Sequence, residues 1–127
     1  MDVRDKEKKM RVMKQETVFD GIAATGTSGA IRIANTIGSF ALTHVTMTGS
    51  TPNVTITYQL CDTSDGTFKT PTDATEVVAA LTSATDDTIA FDVDGNMNSW
   101  IKFVATLNSG TLTSLSAKFA FQEERDR

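Results

Sequence analysis

A single histidine, a single cysteine and one Asp/Asn-rich run are where this chain could hold chemistry beyond packing. A Cys–His nucleophile needs the imidazole within reach of the thiol, a third group to orient it, and an oxyanion hole. His44 lies where one apolar alternation changes phase and Cys61 ends the next run, so they are candidate neighbours. The competing reading is an isolated histidine and an unreactive thiol in a sheet. That reading is preferred, because no G-x-S-x-G elbow, P-loop, GxGxxG or HExxH stands elsewhere in the chain to support catalysis. The expectation is a non-enzymatic protein without a cofactor.

In the run Asp92-Val-Asp94-Gly-Asn96-Met-Asn98 the alternating oxygen side chains could converge on Ca²⁺. It places glycine fourth where an EF-hand loop has it sixth, and it lacks the distal glutamate. Asp, Gly and Asn also suit any strand-connecting turn, and the turn reading is preferred, so no metal is assigned. Asn53-Val-Thr55 fits a glycosylation sequon, which carries little weight without a secretory leader. Trp100 precedes IKFVATL, where Ile101, Phe103 and Leu107 form one phase. Trp100, Lys102 and Val104 then face the other way. A tryptophan there suits a subunit contact or a sugar-stacking platform, unless a loop or the chain's own N-terminus covers it.

These residues are positioned by strands. In VTITYQLC the apolar Val54, Ile56, Tyr58 and Leu60 alternate with Thr55, Thr57 and Gln59, giving one greasy face and one wet face. The pattern returns with Ile89, Phe91 and Val93, then with Ile101, Phe103, Ala105 and Leu107. It returns again with Leu115, Ala117, Phe119 and Phe121. In FALTHVTM, Phe40 and Leu42 are in one phase and Val45 and Met47 in the other, which predicts a β-bulge near Thr43–His44 or a strand buried on both faces. GSTPN and NSGT read as turns. The segment 74–82 fits both a capped helix and a strand of Val77, Ala79 and Leu81; its strand neighbours favour the strand. Threonine is abundant and suits the solvated face of strands. Together these runs predict an all-β antiparallel β-sandwich, jelly-roll-like, with an N-terminal extension arm.

At 127 residues the chain is long enough for one domain with its own core. The lone Cys61 excludes an internal disulfide and points to a reducing compartment. No secretory leader or membrane-spanning run is evident, so the expectation is a soluble protein made in a cytoplasm. The net charge of −4 is unevenly placed. Residues 1–16 hold six cations against four acids, residues 17–122 four against nine, and residues 123–127 two against three. The predicted organisation is therefore a charged arm over 1–16, a sandwich over 17–122 and a charged tail over 123–127. So acidic a body argues against nucleic acid as the main ligand. The arm shows no strand alternation, and alone it reads as disordered or as a frayed helix. It is either a solvated tail or a hook onto neighbouring subunits, with Lys8, Lys9, Met10, Arg11 and Met13 as its candidate interface residues beside Trp100.

The segments YQLCDTSDGTFKTP, DDTIAFDVDG, SWIKFVATLNSGT and the final KFAF resemble small β-sandwich virion proteins of tailed bacteriophages over about Asn53–Phe121. The resemblance implies a structural role: capsid decoration (cement), head–tail joining, or a tail or fibre component. The partners would be other virion proteins and further copies of the chain, with no nucleic acid and no membrane. The location would be the virion, assembled in the host cytoplasm. The alternative is a carbohydrate-binding sandwich of a phage tail or fibre, using Trp100 or Tyr58 as a stacking face and Ca²⁺ at Asp92 and Asp94.

Overall fold

A computed structural model describes residues 9–72, 76–93 and 99–126. The elements are β1 (Lys9–Ile22), β2 (Gly26–Thr27), β3 (Ile31–Arg32), β4 (Thr36–Cys61), β5 (Val78–Leu81), β6 (Ala84–Phe91) and β7 (Trp100–Asp126), with no helix among the described residues. Every strand pairing is antiparallel.

Two long strands organise the molecule. β4 and β7 pair along almost their whole lengths, from Thr36↔Glu123 to Cys61↔Trp100. Midway the ribbon bends. There Ser50 pairs with Thr111 and Asn53 with Ser109, so Thr51 and Pro52 oppose Gly110 alone: a β-bulge. Thr51 (φ 49°) and Gly110 (φ 78°) both take the left-handed conformation there. Pro52 fits because a bulge demands no ladder N–H at that position. GSTPN and NSGT, expected as turns, are thus the two sides of one bend inside continuous strands.

The bend divides one hydrogen-bonded sheet into two layers. The first layer is ordered β1, the C-terminal half of β7, the N-terminal half of β4, then β6. The second is ordered β2 and β3, the N-terminal half of β7, the C-terminal half of β4, then β5. The alternating residues read from the sequence line the interior between them. Val54, Ile56, Tyr58, Leu60, Ile101, Phe103 and Ala105 come from one layer, and Leu42, Val45, Leu115, Ala117, Phe119 and Phe121 from the other, all buried. Ile89, Phe91, Val93 and Leu107 are partly buried against this core.

Aromatic rings tie the layers together. Phe103 meets Phe119 with centroids 4.9 Å apart, Phe91 meets Phe103 edge-on at 5.7 Å, and Tyr58 lies 6.3 Å from Phe91. Such offset and edge-to-face pairs add roughly 0.5–1.5 kcal/mol each beyond area burial. The predicted bulge is present: His44 has φ 51° and the register shifts between Leu42 and Val45. Strand, not helix, is also what forms at Val78–Leu81, where Val77 and Leu81 are buried and Ala79 is exposed.

The N-terminal boundary is a correction. Residues 9–16 are no free arm, because β1 begins at Lys9 and pairs with β7 from Lys9↔Asp126 through Thr17↔Lys118. By the same register the expected tail at 123–126 is the end of β7. Physically, the strand follows from its partner's edge and not from its own pattern. Lys14 and Glu16 sit opposite Phe121 and Phe119, on the phase that apolar alternation would have filled with hydrophobic residues.

Candidate functional site

The chemistry-bearing residues are dispersed. His44 stands in the bulge of β4, and its Nδ1 donates to Asp86 Oδ1 of β6 at 2.9 Å; both side chains are more than half exposed. Cys61 ends β4 in the other layer, opposite Trp100, with its thiol 3.9 Å from Thr63 Oγ1. Each therefore has a different neighbour, and no Cys–His pair is formed. The connection after Cys61 folds back on the strand: Lys69 and Leu60 exchange backbone hydrogen bonds of 2.8 and 3.0 Å. Together they border a depression of about 380 Å³ beside Cys61, Asp62 and Pro71.

Of the Asp/Asn run, Asp92 is exposed just after β6, and Asp94, Asn96 and Asn98 lie outside the described residues. Among the described residues, no three His, Cys, Asp or Glu side chains converge as metal ligands would. Tyr58 is only 1% exposed, so it is a core residue and not a stacking platform. Trp100 is half-buried on the outward phase of β7, paired with Cys61 on one side and Arg32 on the other. Next to it on that phase, Lys102 places its ammonium 4.5 Å over the ring of Phe68, so the 62–69 connection covers part of this face.

The remaining interface candidates fall on β1. Lys8 lies outside the described residues. Lys9, Met10 and Arg11 occupy strand positions opposite Asp126, Arg125 and Glu124. Met13 is opposite Gln122 and, at 62%, is the exposed large hydrophobic side chain among the described residues. It marks the outer face of the first layer. There Gln15, Ala120, Ala41 and Ala90 form one transverse row across all four strands, by the registers Gln15↔Ala120, Ala41↔Ala120 and Ala41↔Ala90. The three alanines leave a shallow depression of about 500 Å³ bordered by Met13, Gln15 and Gln122. Opposite residues on antiparallel strands share a face, so the row could be assembled only once the register was known.

Two structural polar groups went unread in the sequence. Ser28, within a stretch that looks like a Gly/Thr turn, is buried. Its N–H donates to Phe103 O at 2.8 Å, and its Oγ accepts from Phe103 N–H at 2.8 Å. The side chain thereby completes a ladder between β2 and β3. Thr25 Oγ1 accepts from Leu107 N–H at 3.0 Å in the same way. No family model, curated protein or solved structure matches this chain.

Proposed function

We propose that this protein is a non-enzymatic structural subunit of a phage virion, a capsid decoration (cement) protein or similar accessory, that works by burying surface against neighbouring subunits. The observation that carries the reading is the outer face of the first layer, where exposed Met13 borders the shallow depression over Ala41, Ala90 and Ala120. A shallow, open depression of this kind suits protein contact better than enclosure of a small ligand. Support also comes from the resembling segments, which all contribute to the sandwich: YQLC closes β4, DTIAF lies in β6, and WIKFVATL and KFAF lie in β7.

We further read the two layers as a jelly roll. Counting each half of β4 and β7 as a strand, and β2 with β3 as one, the layers run 1-8-3-6 and 2-7-4-5. Folds of this kind occur in capsid and lectin domains, which is support by analogy of fold alone.

The direct test is mass spectrometry of purified particles, followed by co-sedimentation of the purified chain with particles stripped of it. The expected result is saturable loading that Met13→Glu weakens. Absence of the chain from the particles overturns the reading. A glycan array with Trp100→Ala as control addresses the carbohydrate alternative, which retains Trp100 but loses Tyr58 to the core.

A further inference from the structure

Three aspartates in the chain precede glycine: Asp20–Gly21, Asp65–Gly66 and Asp94–Gly95. In such a pair the glycine nitrogen can reach the preceding side-chain carboxyl, because no Cβ on the glycine hinders it. The attack needs an exposed, unbound carboxyl and an amide that is free to turn. The structure separates two of the pairs on this point, and the third lies outside the described residues.

Gly21 belongs to β1, and its N–H donates to Ser116 Oγ of β7 at 2.9 Å. That amide turns only if the two strands part there. Gly66 lies in the connection after β4, outside every strand. Among the described residues its N–H meets no acceptor, and the carboxylate of exposed Asp65 meets no donor. Asn108–Ser109, a related reactive pair, is held: Asn108 Nδ2 donates to Asn53 Oδ1 at 3.2 Å and to Thr55 Oγ1 at 2.7 Å. Space is short beside Gly66. A single carbon added to its Cα would fall 2.6 Å from the Cys61 sulfur and 2.6 Å from Thr63 Oγ1. The turn therefore lies directly on the Cys61 thiol, before Lys69 returns the chain to Leu60.

We propose that Asp65–Gly66 is a site of spontaneous isoaspartate formation, and that this modification uncovers Cys61. The Gly66 nitrogen bonds to Asp65 Cγ, and one water leaves, made from the carboxyl oxygen and the amide hydrogen. The resulting five-membered imide takes up one water. Opening at the Asp65 main-chain carbonyl leaves the chain running through Cβ and Cγ, one carbon longer, with a free α-carboxylate. No oxidant or reductant enters. A turn that has no room for one further carbon beside Cys61 must then lift from the thiol. This chemistry is independent of what the chain assembles with.

The test is slow incubation of the folded chain at neutral pH in an Asp94→Glu background, which removes the pair outside the described residues. Electron-transfer fragmentation of its peptides locates isoaspartate, and methylation by an isoaspartate methyltransferase counts it. The expected result is roughly tenfold more at Asp65 than at Asp20 in the folded chain, and similar amounts at both in denaturant. Alkylation of Cys61 should be several-fold faster in the isomerised fraction. Asp65→Glu, whose longer side chain would have to close a six-membered ring, should abolish both changes. Isoaspartate at Asp20 equal to or above that at Asp65 in the folded chain overturns the proposal, as does incubation that leaves Asp65 unchanged. An alkylation rate that isomerisation does not raise overturns the uncovering of Cys61.

Discussion

A Cβ atom added at Gly110 would collide with the carbonyl oxygen of Thr51, and one at Gly49 would collide with that of Thr111. The strands of the central ribbon touch backbone to backbone at its bend, where the chain passes from one layer to the other. Gly110 also has φ 78°, so an L side chain would be strained as well as crowded. Gly110→Ala is expected to destabilise the fold by about 2–3 kcal/mol. Urea unfolding checks this, and an unchanged midpoint would show that the bend is not fixed by this approach.

Ser28 supplies the second prediction. Its hydroxyl oxygen accepts the Phe103 amide within the core, so Ser28→Ala leaves that N–H buried without its acceptor. The expected loss is about 1–3 kcal/mol. Hydrogen exchange at Phe103 should accelerate by more than at Ile101, whose ladder lies on β3. Equal acceleration at both amides would point to general loosening.

Cys61 and Gly66 give a coupled pair. A Cβ on Gly66 would fall 2.6 Å from the Cys61 sulfur and 2.6 Å from Thr63 Oγ1. Gly66→Ala should therefore destabilise, and Cys61→Ala should recover part of the loss. A double-mutant cycle by thermal unfolding is expected to give a coupling of about 0.5–1 kcal/mol. Strict additivity would show that the connection shifts freely away from the strand.

Much of this architecture was legible because the core strands obey a two-residue period. Val54, Ile56, Tyr58 and Leu60 are buried as their alternation required, and the phase slip after Leu42 marked a true bulge at His44. β1 was not legible. Lys14 and Glu16 hold the positions opposite Phe121 and Phe119, which erases the alternation, and only the register with β7 defines the strand. The bend was misread for another reason: Gly, Pro and Asn mark a hairpin turn and a bulged bend alike. The outer-face row escaped because Gln15, Ala41, Ala90 and Ala120 are scattered in sequence and carry no pattern of their own. Ser28 gave no signal separable from the turn residues around it.

Truncation tests the ladder between β1 and the end of β7. Deleting residues 1–15 removes the β1 positions that pair with Ala120 through Asp126. The midpoint of thermal unfolding should then fall by about 5–10 °C, the consequence of losing one to two kcal/mol. Deleting residues 1–8 alone leaves that ladder intact, so the difference between the two deletions isolates residues 9–15. Differential scanning calorimetry of the two deletions measures what the strand at 9–15 contributes. Equal midpoints would return residues 9–15 to the status of an arm.

His44 and Asp86 face each other across the bulged β4–β6 pairing, and both adopt left-handed backbone, with φ 51° and 57°. Carboxylates only accept hydrogen bonds, so the 2.9 Å contact requires the proton on His44 Nδ1. An exposed pair of this kind contributes at most about 1 kcal/mol, less in high salt. The backbone conformation is the stronger constraint, since Asn, Asp and Gly tolerate it and β-branched residues do not. Asp86→Asn keeps both the conformation and an acceptor and should change stability by less than about 0.5 kcal/mol. Asp86→Val loses both and should cost about 1–3 kcal/mol, with little dependence on salt. If Asp86→Asn and Asp86→Val unfold at the same denaturant concentration, the left-handed residue is not what shapes this edge. If Asp86→Asn alone carries the full loss in low salt and none in high salt, the charge on Asp86 is the constraint instead.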